Sequence, residues 1–405
     1  MKPLFFADDP QFWFETLRAL GHAAYGGAEP GEVLATAERI TAGDYDSWYD
    51  EWSATAAHTA RAAATALAAG HPVTARDAYL RANNYFRVAE FFLHGDPRDP
   101  RIATAYEQAV GAFQTAAELF EPRVQQVAIP FEGHLLHGYY YRAPGDAPAP
   151  AVIMHNGFDG SVEEMHFFGA AAALERGYHV LTFDGPGQPW ARFRDGLPFR
   201  PDWENVVTPV LDWLIAGHPE VDPGRVALLG LSMGGLLAPR AAAFEHRLAA
   251  VIAVDGVYDL GEVSRALLPS LTPEQAEARL RAEEAPEVDA AIEALMKVNP
   301  TVRWAVTHGS YVMGVQTPRQ FVAAYLDYSL ADGIAERITA PTLVCDAEED
   351  LFFAGQALRL YEHLTCPRTL LRFTVAEGSG AHCHAGAQRL AFGRVFDWLD
   401  AVVRP

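Results

Sequence analysis

The chain has 405 residues, which at roughly 150 per domain accommodates two or three domains, or one large domain with an added module. Half of the residues are hydrophobic and 20% are charged, a balance that excludes extensive disorder. Lys plus Arg number 31 against 52 Asp plus Glu, a formal net charge of −21; most of the surface therefore repels a nucleic acid duplex or an anionic membrane, and neither is an expected partner.

Cys345, Cys366 and Cys383 form no CxxC pair, which argues against a disulfide framework or zinc ribbon and for a reducing, cytoplasmic setting. The opening MKPLFFADDPQFWFETL carries Asp8, Asp9 and Glu15 where a secretory signal needs an unbroken apolar run, so no signal peptide is expected. The longest apolar stretches are strand-sized and fall short of the ~20 residues of a membrane span.

In chain order, residues 10–122 read as helical, rich in Ala, Leu, Glu and Arg. From Arg76 to Leu93 the residues Tyr79, Ala82, Phe86, Ala89 and Leu93 recur at three and four and predict one buried stripe. Gly26-Gly27, Gly70-His71-Pro72 and Gly95-Asp96-Pro97 divide this region into four or five helices. The expected domains are a helical lid or substrate domain over 1–122 and a catalytic domain over 123–405.

After Pro122 two strands flank the turn Glu132-Gly133. Apolar runs then alternate with helical segments: 151–154, 179–183, 226–231, 250–254, 342–345 and 370–375. Short strands that are apolar on both faces and separated by helices predict an α/β fold with a mostly parallel, eight-stranded sheet. Between Asp255 and Pro341 the alternation stops for about eighty residues, too long for a loop, and a helical cap is expected over about 260–340. Its aromatics Trp304, Tyr311, Phe321, Tyr325 and Tyr328 serve either as core or as pocket lining.

Gly230-Leu231-Ser232-Met233-Gly234-Gly235 follows a strand and precedes a helical run, the strand-turn-helix context of a G-x-S-x-G nucleophile elbow and hence of an α/β-hydrolase fold. Such a serine needs a base, and the base an orienting acid, in the chain order Ser, acid, His. Asp350 follows the late strand 342–345, and His382 stands in the loop after the last strand; they are the expected acid and base of Ser232. His384 is the rival base and Asp255 the rival acid, while Asp346, Glu348 and Glu349 read as solvated loop charges. The expected oxyanion hole is made by the amides of Met233 and, in His155-Asn156-Gly157-Phe158-Asp159-Gly160, of Phe158. Asp184-Gly185-Pro186-Gly187-Gln188 lacks phosphate-loop spacing and reads as structural. Metal-ligand spacings are absent from the sequence, so no cofactor is expected.

Beyond the elbow, six segments resemble α/β-hydrolases with an N-terminal helical domain, a group that includes 2,6-dihydroxypseudooxynicotine hydrolase and the fungal hydrolases that shorten polyketide naphthopyrones. They are Asp44-Tyr45-Asp46-Ser47-Trp48, the helix Ala75 to Tyr85, Asn156 to Gly160, Asp184 to Gln188, Phe199 to Glu204, and Ala381-His382-Cys383. The resemblance implies hydrolysis of a carbon–carbon bond next to a ketone, a helical domain over the catalytic face and a homodimer. It makes Tyr79, Asn83, Asn84 and Arg87 candidate substrate contacts, with Asp255 near the site. Pro189-Trp190 departs from the group's pattern, so Trp190 is expected to reshape the pocket mouth. An esterase acting on an aromatic or polyketide-like small molecule, an acyltransferase or cyclase using the same three residues, and a catalytically silent binding protein are the alternatives.

Overall fold

A computed structural model describes residues 2–145 and 147–404. The helices that precede the sheet are α1 (Pro10–Gly21), α2 (Pro30–Ala37), α3 (Tyr45–Ala68), α4 (Pro72–Glu90) and α5 (Pro100–Glu118). Proline opens α1, α2, α4 and α5, where its missing N–H is no loss. Asp9, Asp44 and Asp99 cap α1, α3 and α5 by accepting backbone amides. The glycine-containing breaks fall between these helices, with Gly26 and Gly70 at φ of 82° and 80°, a region that favours glycine. Ala82, Phe86 and Ala89 of the α4 stripe are buried and Tyr79 is half-buried. They meet the tryptophans of α3, of which Trp48 donates through Nε1 to the Val88 carbonyl at 2.7 Å.

The strands are β1 (Gln125–Phe131), β2 (His134–Tyr141), β3 (Ala149–His155), β4 (His179–Phe183), β5 (Val221–Leu231), β6 (Ala250–Val254), β7 (Thr342–Ala347) and β8 (Arg368–Phe373). They form one eight-stranded sheet in the order β1-β2-β4-β3-β5-β6-β7-β8. β1, β2 and β4 pair antiparallel, and every pair from β4-β3 to β7-β8 is parallel. The central strands β3 to β6 are apolar on both faces because helices cover them, among them α6 (Ala170–Glu175), α8 (Glu204–Gly217) and α9 (Gly234–Ala242), while α7 (Pro189–Asp195) packs on β2.

Between β6 and β7 come α10 (Leu260–Arg265), α11 (Pro273–Arg281), α12 (Pro286–Val298), α13 (Pro300–Met313) and α14 (Pro318–Ala324), and the chain ends in α15 (Gln356–His363) and α16 (Gln388–Val403). Proline begins each of α11 to α14, so the insertion is divided into short helices. Asn299 caps α13, its side chain accepting from the Val302 amide. Among the described residues no helix is long and apolar enough to cross a membrane.

Candidate active site

Ser232 occupies the turn between β5 and α9 at φ 61°, a left-handed conformation that costs a non-glycine residue of order 1–3 kcal/mol and that the surrounding backbone must impose. A Cβ on Gly230 would strike the Gly234 carbonyl, and one on Gly235 the Asp255 carbonyl. The small residues thus let strand, turn and helix close on one another and lift the hydroxyl out of the sheet.

His382 Nε2 lies 2.8 Å from Ser232 Oγ, and His382 Nδ1 lies 2.9 Å from Asp350 Oδ2. A carboxylate only accepts, so Nδ1 carries the hydrogen and the Nε2 lone pair faces the serine hydroxyl. Asp350 Oδ1 accepts from the Phe352 and Phe353 amides at 2.7 and 2.9 Å. Burial opposes the Asp350 charge, but His382 and these amides outweigh it and hold the carboxyl below its ordinary range.

Asp255 lies behind this chain, with Oδ2 3.7 Å from His382 Nδ1 and accepting from the Cys383 amide at 2.8 Å. Burial and the neighbouring Asp350 push its carboxyl far above the usual range. His384 points away from Ser232: its Nδ1–H donates to the Ser379 carbonyl at 3.2 Å, and burial depresses its pKa to about 3. Its Nε2 lies 3.2 Å from Asp255 Oδ1 with no hydrogen bond between them. Asp346 lies 3.7 Å from Arg372, and Glu348 accepts from the Val375 amide, both away from His382.

The loop after β3 runs beside the turn: a Cβ on Gly157 would stand 2.6 Å from both the Leu231 carbonyl and the Met233 amide. The Gly157 amide is occupied by Asn156 Oδ1 at 2.8 Å, so Phe158 carries the next amide of the loop. Gln188 clamps the loop from α7's start, donating to the Asn156 carbonyl at 2.5 Å while its Oε1 accepts from the Gly185 amide. This gives the 184–188 segment its structural role.

A cavity of about 210 Å³ opens over Ser232 and His382. Its walls are largely aromatic: Phe14 from α1, Phe158 and Phe168, Trp304 and Tyr325 from the insertion, and Phe352 and Phe353 after β7. Arg18, Asn156 and Asp159 add polar surface. Arg18 is gripped by Glu164 at 2.8 and 2.5 Å and by Asp159 at 3.0 Å. His22 Nε2 lies 2.9 Å from Glu164, and Arg87 reaches the same carboxylate at 3.3 Å. Burial disfavours the Glu164 charge, but the two guanidiniums and the His22 hydrogen bond hold it well below the ordinary range. Burial raises Glu15 to about 8 and lowers His22 to about 4, so both are neutral near pH 7.

The expected contacts from the helical domain are corrected. None of Tyr79, Asn83, Asn84 and Arg87 lines the cavity. Tyr79 packs into the apolar core, Asn83 donates to the Ala109 carbonyl, and Asn84 donates to the carbonyls of Ala19 and Gly27. Arg87 is turned to Glu164. A polar side chain on a crowded helix is drawn to the unpaired backbone or charge nearest to it. Trp190 is also elsewhere: it stacks on His137 with centroids 3.9 Å apart and borders an outer groove with His134 and Asp195. Asp255 is buried behind His382 rather than exposed to the cavity.

Conversely, Phe14 and Arg18 line the cavity although the sequence reading did not single them out. Gln11, Glu15, Arg18 and His22 recur at four, three and four along an otherwise apolar helix, a buried polar face that periodicity would have exposed. Among the described residues, ligand atoms of Asp255, His382 and Cys383 lie within 4.8 Å of one another. They make a poor metal site: His382 is engaged on both nitrogens, and burial pushes both the Asp255 carboxyl and the Cys383 thiol well above their ordinary pKa.

A family model described as esterase FrsA-like matches residues 11–272. The chain belongs to this family of α/β-hydrolases. It is 38% identical over 409 residues to hydrolase LUC6 of a Fusarium species, with 96% of each chain covered. It is 37% identical to the 20-hydroxy-prefusarin hydrolase FUS2 of Gibberella moniliformis, again over 96% of each chain. The crystal structure of 2,6-dihydroxy-pseudo-oxynicotine hydrolase superposes with a TM-score of 0.73 over 95% of both chains at 23% identity, a likeness of fold. The group expected from sequence is thus the one to which the chain belongs, and hydrolysis is its class of activity.

Proposed function

We propose that the protein is a serine hydrolase that cleaves a carbon–carbon bond next to a ketone, or an ester, in an aromatic or polyketide-like small molecule. Ser232 is the nucleophile, His382 the base, Asp350 the orienting acid, and the Phe158 and Met233 amides the oxyanion donors. The observation that carries this reading is the unbroken hydrogen-bonded chain Ser232–His382–Asp350 at the base of an aromatic-walled cavity.

In the ketone case Ser232 Oγ bonds to the carbonyl carbon as its proton passes to His382 Nε2, and the carbonyl π pair becomes an alkoxide. Collapse of the alkoxide breaks the carbon–carbon bond. The bonding pair departs as an enolate that takes the proton back from His382; water then attacks the acyl-enzyme, giving a proton to His382, and the Oγ–acyl bond breaks as His382 returns that proton to Ser232 and the carboxylic acid is released. A carbanion leaves only when a second carbonyl or a ring delocalises it, which favours 1,3-dicarbonyl and polyketide substrates. The relative FUS2, a hydrolase of 20-hydroxy-prefusarin, supports a polyketide-like substrate here.

The apolar walls favour a second reading, acyl transfer or cyclisation, since they keep water from an acyl-enzyme. Product analysis with a competing alcohol or amine separates it from hydrolysis. A homodimer is also proposed, and light scattering on the eluting protein tests it.

The deciding experiment is intact mass spectrometry after exposure to a fluorophosphonate, with wild type and Ser232→Ala, followed by assays on p-nitrophenyl esters and aromatic 1,3-diketones. One adduct on wild type and none on the variant is the expected result. A folded wild type that neither labels nor turns over either substrate class sinks the proposal.

A further inference from the structure

A second, smaller cavity of about 30 Å³ shares Phe158 and Asp159 with the one over Ser232. Beside it a line of close polar contacts joins three separate parts of the chain. Glu90, at the end of α4, places Oε2 2.9 Å from His94 Nε2. His94, in the turn Leu93–Gly95, places Nδ1 2.9 Å from Nδ1 of His308 on α13. His308 Nε2 in turn lies 2.9 Å from the carbonyl oxygen of Phe158.

Hydrogen accounting gives the line a direction. The Phe158 carbonyl only accepts, so His308 Nε2–H donates and its Nδ1 keeps a lone pair. His94 Nδ1–H fills that lone pair, and the Glu90 carboxylate stands 2.9 Å from His94 Nε2 at the outer end of the line. Burial lowers the His308 pKa to about 4, so the ring stays neutral near pH 7 and retains the acceptor that His94 requires. Stacking holds both rings in plane: Trp304 lies 10° from parallel to His308, and Tyr311 lies 5° from parallel to His94.

We propose that His308 is a positioning residue that fixes the backbone of Phe158, so that the loop after β3 presents its amide to Ser232 only while the insertion and the N-terminal helices are docked together. The proposal rests on the reading of the Phe158 amide as an oxyanion donor. Without that tie, the backbone of Phe158 loses its anchor and shifts as a whole, and the Phe158 amide, in the adjoining 157–158 peptide, drifts from the tetrahedral oxygen. The defect falls on the transition state and leaves ground-state binding in the aromatic cavity almost untouched.

The test is steady-state hydrolysis of a p-nitrophenyl ester by wild type, His308→Leu, His308→Asn, His308→Gln and Ser232→Ala, with melting temperatures for each. Removal of one oxyanion donor costs about 100- to 1,000-fold in kcat, and displacement of one in His308→Leu is expected to cost about 30- to 100-fold, with KM changed less than about threefold. His308→Gln carries an amide nitrogen to the place of Nε2 and is expected to restore kcat to within about fivefold of wild type. His308→Asn reaches only the place of Nδ1; it is expected to match leucine and decides the matter if leucine does not fold. Wild-type kcat in the leucine or asparagine variant, no rescue by glutamine, or a loss confined to KM overturns the proposal. Full activity of Ser232→Ala would instead overturn the site reading on which it rests.

Discussion

Asp350 and Asp255 both lie near His382 Nδ1, at 2.9 and 3.7 Å, yet their surroundings push their pKa values in opposite directions. Asp350 accepts two backbone amides and faces the imidazole, which hold its carboxyl below the ordinary range; Asp255 is buried beside that negative charge, which pushes its carboxyl far above it. Two variants separate their roles. Asp350→Asn, which presents an amide to His382 and favours the wrong tautomer, is expected to lower kcat by about 1,000- to 10,000-fold. Asp255→Asn keeps an acceptor for the Cys383 amide, so kcat is expected to stay within about fivefold of wild type. Comparable losses in both variants would make the two carboxyls a single catalytic unit. Both positions were legible as candidates because each follows a strand end, but their ranking was not, because it depends on which amides and rings converge on each carboxyl.

At the scale of elements, α1 serves both the cavity and the junction between the two parts of the chain. Phe14 and Arg18 face the cavity, while Arg18 and His22 tie the helix to Glu164 beyond β3, and Glu15 braces Arg18 from within the helix. Arg18→Met leaves Glu164 and Asp159 without their main partner, and removal of one member of a buried ion pair costs about 3–5 kcal/mol of stability; chemical denaturation measures it. Glu15 predicts a pH dependence. Its folded pKa of about 8 exceeds the ordinary 4.5, so the folded state binds more protons between those values. Stability from this group is full below about 4.5, declines as pH rises, and is lost above about 8. The melting temperature is therefore expected to fall from pH 5 to pH 9 in wild type and to fall less in Glu15→Gln. An equal fall in both variants would remove Glu15 as the cause. The loop after β3 makes a sharper element-level test. Gly157→Ala forces a methyl group to 2.6 Å from the Leu231 carbonyl and Met233 amide, and a donor displaced by even 1 Å costs about 100-fold in kcat.

At the scale of the whole molecule, the cavity is assembled from α1, the loop after β3, the insertion and the loop after β7. No one segment encloses it, so its width is a property of how these parts dock. Phe14→Ala and Trp304→Ala each remove an aromatic wall from different parts of the chain. Both are expected to raise KM for small aryl esters by about tenfold, since lost apolar contact is worth about 1–3 kcal/mol, and to relax the limit on bulkier ones. Unchanged relative rates across an ester series of increasing size would show that specificity is decided elsewhere.

The helices, the sheet and the serine elbow were legible because they rest on local chemistry. Proline and aspartate open helices wherever they fall, two-sided apolar runs need covering on both faces, and the turn at Ser232 needs glycines on either side. The carboxylate and histidine could be placed by chain order for the same reason: strand ends converge at one edge of a parallel sheet. Substrate contacts obey no such local rule. Asn83, Asn84 and Arg87 stand on a helix that packs near the site, yet the Ala109, Ala19 and Gly27 carbonyls and the Glu164 carboxylate claim them first. Only the docked arrangement brings Arg18 to Asp159 and His308 to Phe158, because partners 141 and 150 residues apart meet through packing and leave no mark in sequence spacing.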